Sequence, residues 1–271
     1  MMSKVRRMER LVAITKILTD HPCHLFPLSY FSAMFDAAKS TLSEDMVTIR
    51  QGLSQFGLGT IETLPGASGG VRFLPYRSPE GMNKVLEDIA DKLSAPERLI
   101  PGGFLYMSDI LFTPQAMSSV GEIFLTQFHN LKPDYIMTVE TKGIPLAFET
   151  ARAFNLPLVI ARRDSRVTEG SSVNINYVSG SSKRIQTMSL PRRAMHQGAK
   201  VLIIDDFMKA GGTARGMIDL AGEVGAHVVG IGVLVATVEP AAKLVEDYRA
   251  LLILHEVDEH TKKTDIRPAL L

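Results

Sequence analysis

The sequence predicts an α/β chain in two parts. A small helical domain ending in a β-hairpin covers residues 1–75, and a larger parallel-sheet domain with a long flap covers residues 76–271. Three observations predict this. From Asp134 onward, short apolar runs alternate with amphipathic ones, the pattern of βαβ units. Before residue 75, three runs at helical spacing precede two short strand-like runs. Between the two parts, Tyr76-Arg-Ser-Pro-Glu-Gly81 breaks both patterns.

Composition bounds the function classes. The 271 residues are 45% hydrophobic and 22% charged, with a net charge of +1, so total charge alone does not mark a nucleic-acid binder. Cys23 is the only cysteine, which excludes an intrachain disulfide or a cysteine-based zinc site and fits a cytoplasmic protein. No apolar run approaches the ~20 residues that span a bilayer, so no membrane partner is expected. Met1 to Arg10 is polar and basic, unlike a signal peptide.

In the first part, Val5, Met8, Leu11, Val12, Ile14, Ile17 and Leu18 recur at helical period, and His21-Pro22 ends that helix. A second short helix covers Leu28 to Phe35. Beyond Ser43, which reads as a cap or a base reader, Met46, Val47, Ile49, Leu53 and Phe56 form the stripe of a third helix, ended by Gly57 and Gly59. Met34, Phe35 and Phe56 read as core. Gly59–Leu64 and Val71–Leu74 are strands around the turn Pro65–Gly70.

Three helices and a hairpin are the layout of a winged helix-turn-helix domain, whose third helix would enter the major groove of double-stranded DNA. Eight Lys/Arg against six Asp/Glu give residues 1–75 only a small positive excess, so placement matters more than total. Lys4, Arg6 and Arg7 lead the first helix; Lys39, Ser40 and Thr41 stand before the third; Arg50 lies on it and Arg72 on the wing. Arg6, Arg7, Ser40, Thr41 and Arg72 suit phosphate, whereas Ser43 and Arg50 suit base edges. A helical dimerisation or regulatory domain with a solvated basic face fits the same residues.

In the second part, Met82, Val85, Leu86, Ile89 and Leu93 mark a helix ahead of Pro96. Leu99 to Tyr106 reads as a strand with a bend, and Met117 to Phe128 as a helix. Then follow Tyr135–Val139, Ile144–Phe154, Leu158–Ala161, Val201–Ile204, Ala214–Val224 and Val228–Val235, alternately strand and helix.

The chemistry concentrates at Val201-Leu-Ile-Ile-Asp205-Asp206-Phe207-Met208-Lys209-Ala210-Gly211-Gly212-Thr213. Four apolar residues make a strand buried on both faces, and ligands of open α/β sheets bind beyond such carboxyl ends. Gly211 and Gly212 let consecutive N–H groups converge on an anion, the following helix adds its free amides, and Thr213 adds a hydroxyl. Asp205 and Asp206 repel phosphate but accept from a vicinal diol or hold a hydrated Mg²⁺. Phosphate, diol and further phosphate together describe a phosphorylated ribose.

This stretch resembles the phosphoribosyl-pyrophosphate (PRPP) motif of type I phosphoribosyltransferases and lacks the Gly-Lys-Ser/Thr of a Walker A loop. A second loop, Val139-Glu140-Thr141-Lys142-Gly143-Ile144, again joins strand to helix. It is similar to the family's pyrophosphate loop, with amides and Lys142 as donors. The polar insertion from Arg162 to Arg193 reads as two strands, Val173–Tyr177 and Ile185–Ser189, and resembles the family's flap over PRPP. Tyr177, Ser179, Lys183 and Arg184 stand at or near its tip.

The whole order is a winged helix-turn-helix, a linker helix and a type I phosphoribosyltransferase-like parallel-sheet domain with a flap. With Gly143-Ile-Pro145, Asn176 to Met188 and Asp205 to Thr213, it resembles the purine operon regulators of Gram-positive bacteria. The resemblance implies a homodimeric regulator that binds symmetric operator DNA near purine genes and senses PRPP, with Mg²⁺ as a companion and no obligatory cofactor. Ala210 replaces the hydroxyl residue the enzymes carry before Gly-Gly-Thr. That removes one phosphate hydrogen bond, worth about 1 kcal/mol or somewhat more. Phe207 and Tyr106 are available for stacking, so guanosine alarmones, with phosphates at two positions, are expected competitors. An active purine phosphoribosyltransferase with an accessory N-terminal domain is the alternative.

Overall fold

The computed structural model describes residues 5–66, 68–163, 170–178 and 185–270. The first part contains α1 (Arg7–Asp20), α2 (Leu28–Phe35), α3 (Lys39–Gln55), β1 (Thr60–Leu64) and β2 (Gly70–Leu74). β1 and β2 pair antiparallel, with Glu62 opposite Arg72, and form the wing. Ile14, Leu18, Phe31, Leu42, Met46, Ile49 and Ile61 fill the small core between the helices and the hairpin.

Several helix-level expectations need correction. α3 begins at Lys39, after Ala38, which provides no side-chain cap. Ser43 is therefore in the helix interior, where its Oγ donates to the Lys39 carbonyl at 2.9 Å, and it is not a cap. Met34 (42% exposed) and Phe56 (72%) are not core residues. Met34 follows Phe31, which takes the inward position of the short α2, and Phe56 lies past the last turn of α3. Phe35 is half-buried and packs against the core.

The second part starts with α4 (Pro79–Leu93), capped by Ser78 Oγ accepting from Gly81 N at 3.1 Å. Met82, Leu86, Ile89 and Leu93 bury its apolar stripe in the core of the large domain. Arg77, in the connector, pairs with Glu122 at 2.7 Å. Leu99 to Tyr106 is not one bent strand but a small hairpin of β3 (Leu99–Ile100) and β4 (Phe104–Leu105), because Gly102 and Gly103 turn the chain at positive φ.

Then come α5 (Ser108–Leu111), α6 (Pro114–Phe128), β5 (Tyr135–Val139), α7 (Ile144–Phe154) and β6 (Leu158–Ala161). The flap follows as β7 (Ser172–Val178) and β8 (Ile185–Pro191), paired antiparallel. The chain re-enters the sheet with β9 (Lys200–Met208), α8 (Gly212–Glu223), β10 (His227–Thr237), β11 (Tyr248–Asp258) and β12 (Lys263–Pro268).

The six-stranded sheet runs β12-β11-β10-β9-β5-β6 and is parallel except for β12. Residues alternate between its faces, as the two-residue period of a strand requires. On β9, Leu202 and Ile204 enter the core shared with α4, α6 and α7, whereas Val201 and Ile203 enter the core beneath α8 and the flap strands. All four are fully buried, each contributing roughly 1.5–3 kcal/mol of hydrophobic transfer. Such a run of buried side chains leaves β9 little freedom to shift, so the residues at its carboxyl end are held firmly. Among the described residues, no helix is long and apolar enough to cross a membrane.

Candidate functional site

From β5 the chain moves through α7 to β6 on one side, then returns through the flap to β9 on the other. The gap between the carboxyl ends of β5 and β9 is thus the switch point of the sheet, where adjacent loops part and leave a crevice. The two loops singled out in the sequence flank it. They also touch. A Cβ added at Gly143 would stand 2.6 Å from Thr138 Oγ1 and 2.9 Å from Asp205 Oδ1. Glycine is therefore required for close approach, since its φ of −68° suits any residue. Thr141 and Lys142 are exposed on the same loop, whose Glu140–Thr141 peptide is cis. Glu140 Oε1 accepts from Arg163 N at 2.7 Å, tying the loop to the root of the flap.

Asp205 is 6% exposed, and Asp206 is half-buried. Burial, and then the neighbouring Asp206 carboxylate, push the Asp205 carboxyl well above the usual range. Burial also raises Asp206, against the opposing pull of Asp205 hydrogen bonding and of Lys142. A proton shared by the pair belongs on Asp205, the deeper member, which also accepts from Asp206 N at 3.0 Å. Thr138 Oγ1, beside this pair, is buried with no partner among the described residues. This hydroxyl is fully buried beside Gly143, and the sequence did not single it out.

Asp205, Phe207, Met208, Lys209, Ala210, Gly211, Gly212, Thr213 and Ala214 line a cavity of about 80 Å³ beyond the end of β9. Gly211, at φ +82°, is the N-cap of α8, a conformation that L side chains rarely adopt. The Met208 side chain is buried in the core, so Met208 offers the cavity only its backbone. Phe207 is half-buried and packs partly against the opposite core. Behind the cavity lies the connection from β10 to β11, which sequence reasoning passed over. Leu244 N donates to the Ala210 carbonyl at 2.9 Å, and Lys243 Nζ to the Lys209 carbonyl at 2.5 Å. No motif marks these residues, because their role is set by a contact across more than thirty positions.

The flap packs on α8, the helix that follows the cavity loop. Tyr177 lies on Gly216 of α8, where a Cβ would meet the ring at 3.1 Å, and its hydroxyl donates to Gln186 Oε1 at 2.8 Å. Burial raises the Tyr177 hydroxyl pKa, against the opposing pull of Arg163. Ser179, Lys183 and Arg184 lie outside the described residues. Tyr106 does not line the cavity; it follows β4 in the small hairpin, half in solvent, with its carbonyl accepting from Arg98.

In the N-terminal domain the structure separates the basic residues into free and committed groups. Lys39 and Ser40 are exposed in the first turn of α3, Thr41 is half-buried beside them, and Ser43 is exposed one turn on. Arg6 is exposed before α1, whereas Lys4 lies outside the described residues. Arg7 pairs with Asp45 at 3.2 Å and bonds Thr48. Arg72 pairs with Glu62 at 2.6 Å. Arg50 is not placed as a free base reader. Its guanidinium bonds the Ile61 carbonyl at 2.7 Å and Thr63 Oγ1 at 2.8 Å, so it braces the wing against α3. Sequence reading also missed Asp45, fully buried between Arg7 and Arg10, which ties α3 to α1.

Residues 6–75 match the N-terminal domain of bacterial purine repressors, and residues 108–263 match the phosphoribosyl transferase domain. The purine biosynthesis transcriptional repressor PurR of Bacillus subtilis is 48% identical over 97% of this chain and 93% of its own. The chain belongs to the PurR family of purine biosynthesis regulators. A PurR of Lactococcus lactis, named a transcriptional activator, is 40% identical over 97% of both chains. Family members thus carry opposite regulatory signs on one architecture, and as a member this protein is a DNA-binding transcription regulator, not an enzyme by family. The xanthine phosphoribosyltransferase of Geobacillus thermodenitrificans is 32% identical but over only 55% of this chain. Among solved structures, adenine phosphoribosyltransferases of Thermoanaerobacter pseudethanolicus (TM-score 0.54, 62% of this chain and 98% of that one) and Giardia lamblia (0.55, 63% and 98%) share the fold at 20% identity. The PurR architecture therefore joins a helix-turn-helix with a wing to the phosphoribosyltransferase fold.

Proposed function

We propose that this regulator uses the crevice between β5 and β9 to bind PRPP, and that binding there changes the affinity of the N-terminal domain for operator DNA. The observation that carries the reading is the Gly143–Asp205 approach, which brings a lysine-bearing loop and an acid-then-glycine loop to one crevice. Ribose hydroxyls would bond Asp206 and Asp205, the 5′-phosphate would take the amides of Lys209 to Thr213, and the pyrophosphate would take Thr141, Lys142 and Gly143. Among the described residues no group of three His, Cys, Asp or Glu could hold a metal. In this reading Asp205 and Asp206 would offer carboxylate oxygens to a Mg²⁺ that the ligand's own oxygens also hold.

Lys39, Ser40, Thr41 and Ser43 at the start of α3, with Arg6, face the operator in this reading, while Arg7, Arg50 and Arg72 hold the surface in shape. Two copies in a homodimer meet the two halves of a symmetric site. PRPP shifts DNA affinity only to the extent that it binds the DNA-free and DNA-bound arrangements differently. Guanosine alarmones, with phosphates at two positions, would compete for the same donors.

The experiment is operator binding to purine promoter DNA by mobility shift, with and without PRPP and Mg²⁺, for the natural protein and for Asp206→Ala. PRPP should alter DNA binding by the natural protein, and Asp206→Ala should bind DNA normally while ignoring PRPP. DNA affinity unchanged at saturating PRPP would remove the coupling. A variant responding like the natural protein would remove the site.

A further inference from the structure

The cavity beyond β9 is lined by Asp205 and has Ala210 in place of a hydroxyl, yet the proposed function asks it to hold a phosphate dianion. We propose that Lys243 is the positioning residue that makes this cradle work, by holding the backbone of the 209–211 loop in its phosphate-binding orientation. The inference rests on the phosphate-binding reading of that loop.

Lys243 Nζ donates to the Lys209 carbonyl at 2.5 Å, the Thr237 carbonyl at 2.7 Å and Thr237 Oγ1 at 3.3 Å. An ammonium has three donors and no acceptor, so these oxygens occupy its full capacity. Burial lowers its pKa, and Glu239 only partly offsets this. Leu244 N holds the next carbonyl, that of Ala210, at 2.9 Å. Neither Lys243 nor Leu244 lines the cavity, so the carbonyls of Lys209 and Ala210 are turned toward residues outside its lining. A planar trans peptide points its N–H opposite to its carbonyl. Fixing the carbonyls of Lys209 and Ala210 rearward therefore turns the N–H groups of Ala210 and Gly211 toward the cavity side.

The charge adds a second effect. A cation on the Lys209 carbonyl polarises that peptide and makes the Ala210 N–H a stronger donor. It also places positive charge next to a loop that lies beside Asp205 in the cavity lining. Val245 and Leu244 pack against Gly211, with Val245 Cγ2 3.2 Å from where a Cβ would sit, so the loop cannot relax backward. The site thus recovers by backbone orientation part of what Ala210 lacks in hydroxyl.

The test is calorimetric titration of the full chain and of Lys243→Met and Lys243→Arg with PRPP, ribose 5-phosphate and pyrophosphate. Lys243→Met should weaken ribose 5-phosphate and PRPP about tenfold or more, the worth of one hydrogen bond to a charged group. Pyrophosphate, which uses the Lys142 loop, should bind unchanged, and Lys243→Arg should recover most of the loss. The assignment is wrong if methionine leaves ribose 5-phosphate binding intact, if pyrophosphate affinity falls equally, or if arginine does no better than methionine. A natural protein that binds none of the three ligands would remove the phosphate-site reading itself, and this inference with it.

Discussion

Replacing Gly143 by alanine tests whether the two loops must touch to make one site. The added methyl would stand 2.6 Å from Thr138 Oγ1 and 2.9 Å from Asp205 Oδ1, well inside the ~3.5–4.0 Å of comfortable contact. Neither neighbour can recede. Thr138 and Asp205 lie on β5 and β9, adjacent central strands whose flanking residues are buried. Alanine suits the Gly143 backbone, so the whole effect is steric, and the loop carrying Thr141 and Lys142 must move outward. Overpacking of this kind costs about 1–3 kcal/mol. If that cost is recovered only by giving up the liganded geometry, PRPP affinity falls by roughly fivefold to hundredfold. Calorimetry with PRPP and Mg²⁺ reads this directly, and mobility shift on operator DNA should show the unliganded protein unaltered. Natural PRPP affinity in Gly143→Ala would refute the idea that one crevice is built from both loops.

Three further outcomes follow from the geometry. Asp45→Ala strands Arg10, whose side chain is buried against it, and should destabilise the N-terminal domain by about 3–5 kcal/mol. Denaturant titration should show that loss together with lost DNA binding, while PRPP binding by the other domain persists. The raised pKa of Asp205 means its protonated form is favoured by folding. Its contribution is full at low pH and is lost as pH rises above the usual carboxylate range through the raised value. Asp205→Asn should therefore raise Tm at pH 7–8, with the gain disappearing toward pH 4, and should weaken PRPP binding. Ala210→Ser restores a hydroxyl to the cradle and should tighten PRPP up to about tenfold, as a bond to a charged acceptor would. Unchanged affinity would place residue 210 away from the phosphate.

Much of the architecture was legible because its signals are local. The apolar run Val201–Ile204 is short and followed at once by Asp205 and Asp206. Gly211 must accept φ +82°, and such a requirement is written in the residue itself. The three helices and wing likewise follow from periodicity and glycine punctuation. The errors came where a helix boundary or an exposure depends on neighbours. Ser43 looked like a cap because capping residues cluster before it, yet Ala38 begins α3 without one. Phe56 reads as core from its place on the apolar stripe, but it lies past the last turn of α3 and is 72% exposed.

By itself, then, the sequence determined the order of elements, the two loops and their donor chemistry, since strand ends, glycine turns and acid pairs are properties of neighbours along the chain. Only the tertiary structure decided which charges are free. Arg50 and Arg10 are the same residue type on similar helices, but one braces the wing and the other closes on a buried carboxylate. It also decided that Gly143 meets Asp205 and that Lys243 stands behind Lys209, because contacts between distant segments are set by sheet order and packing, which no local pattern records.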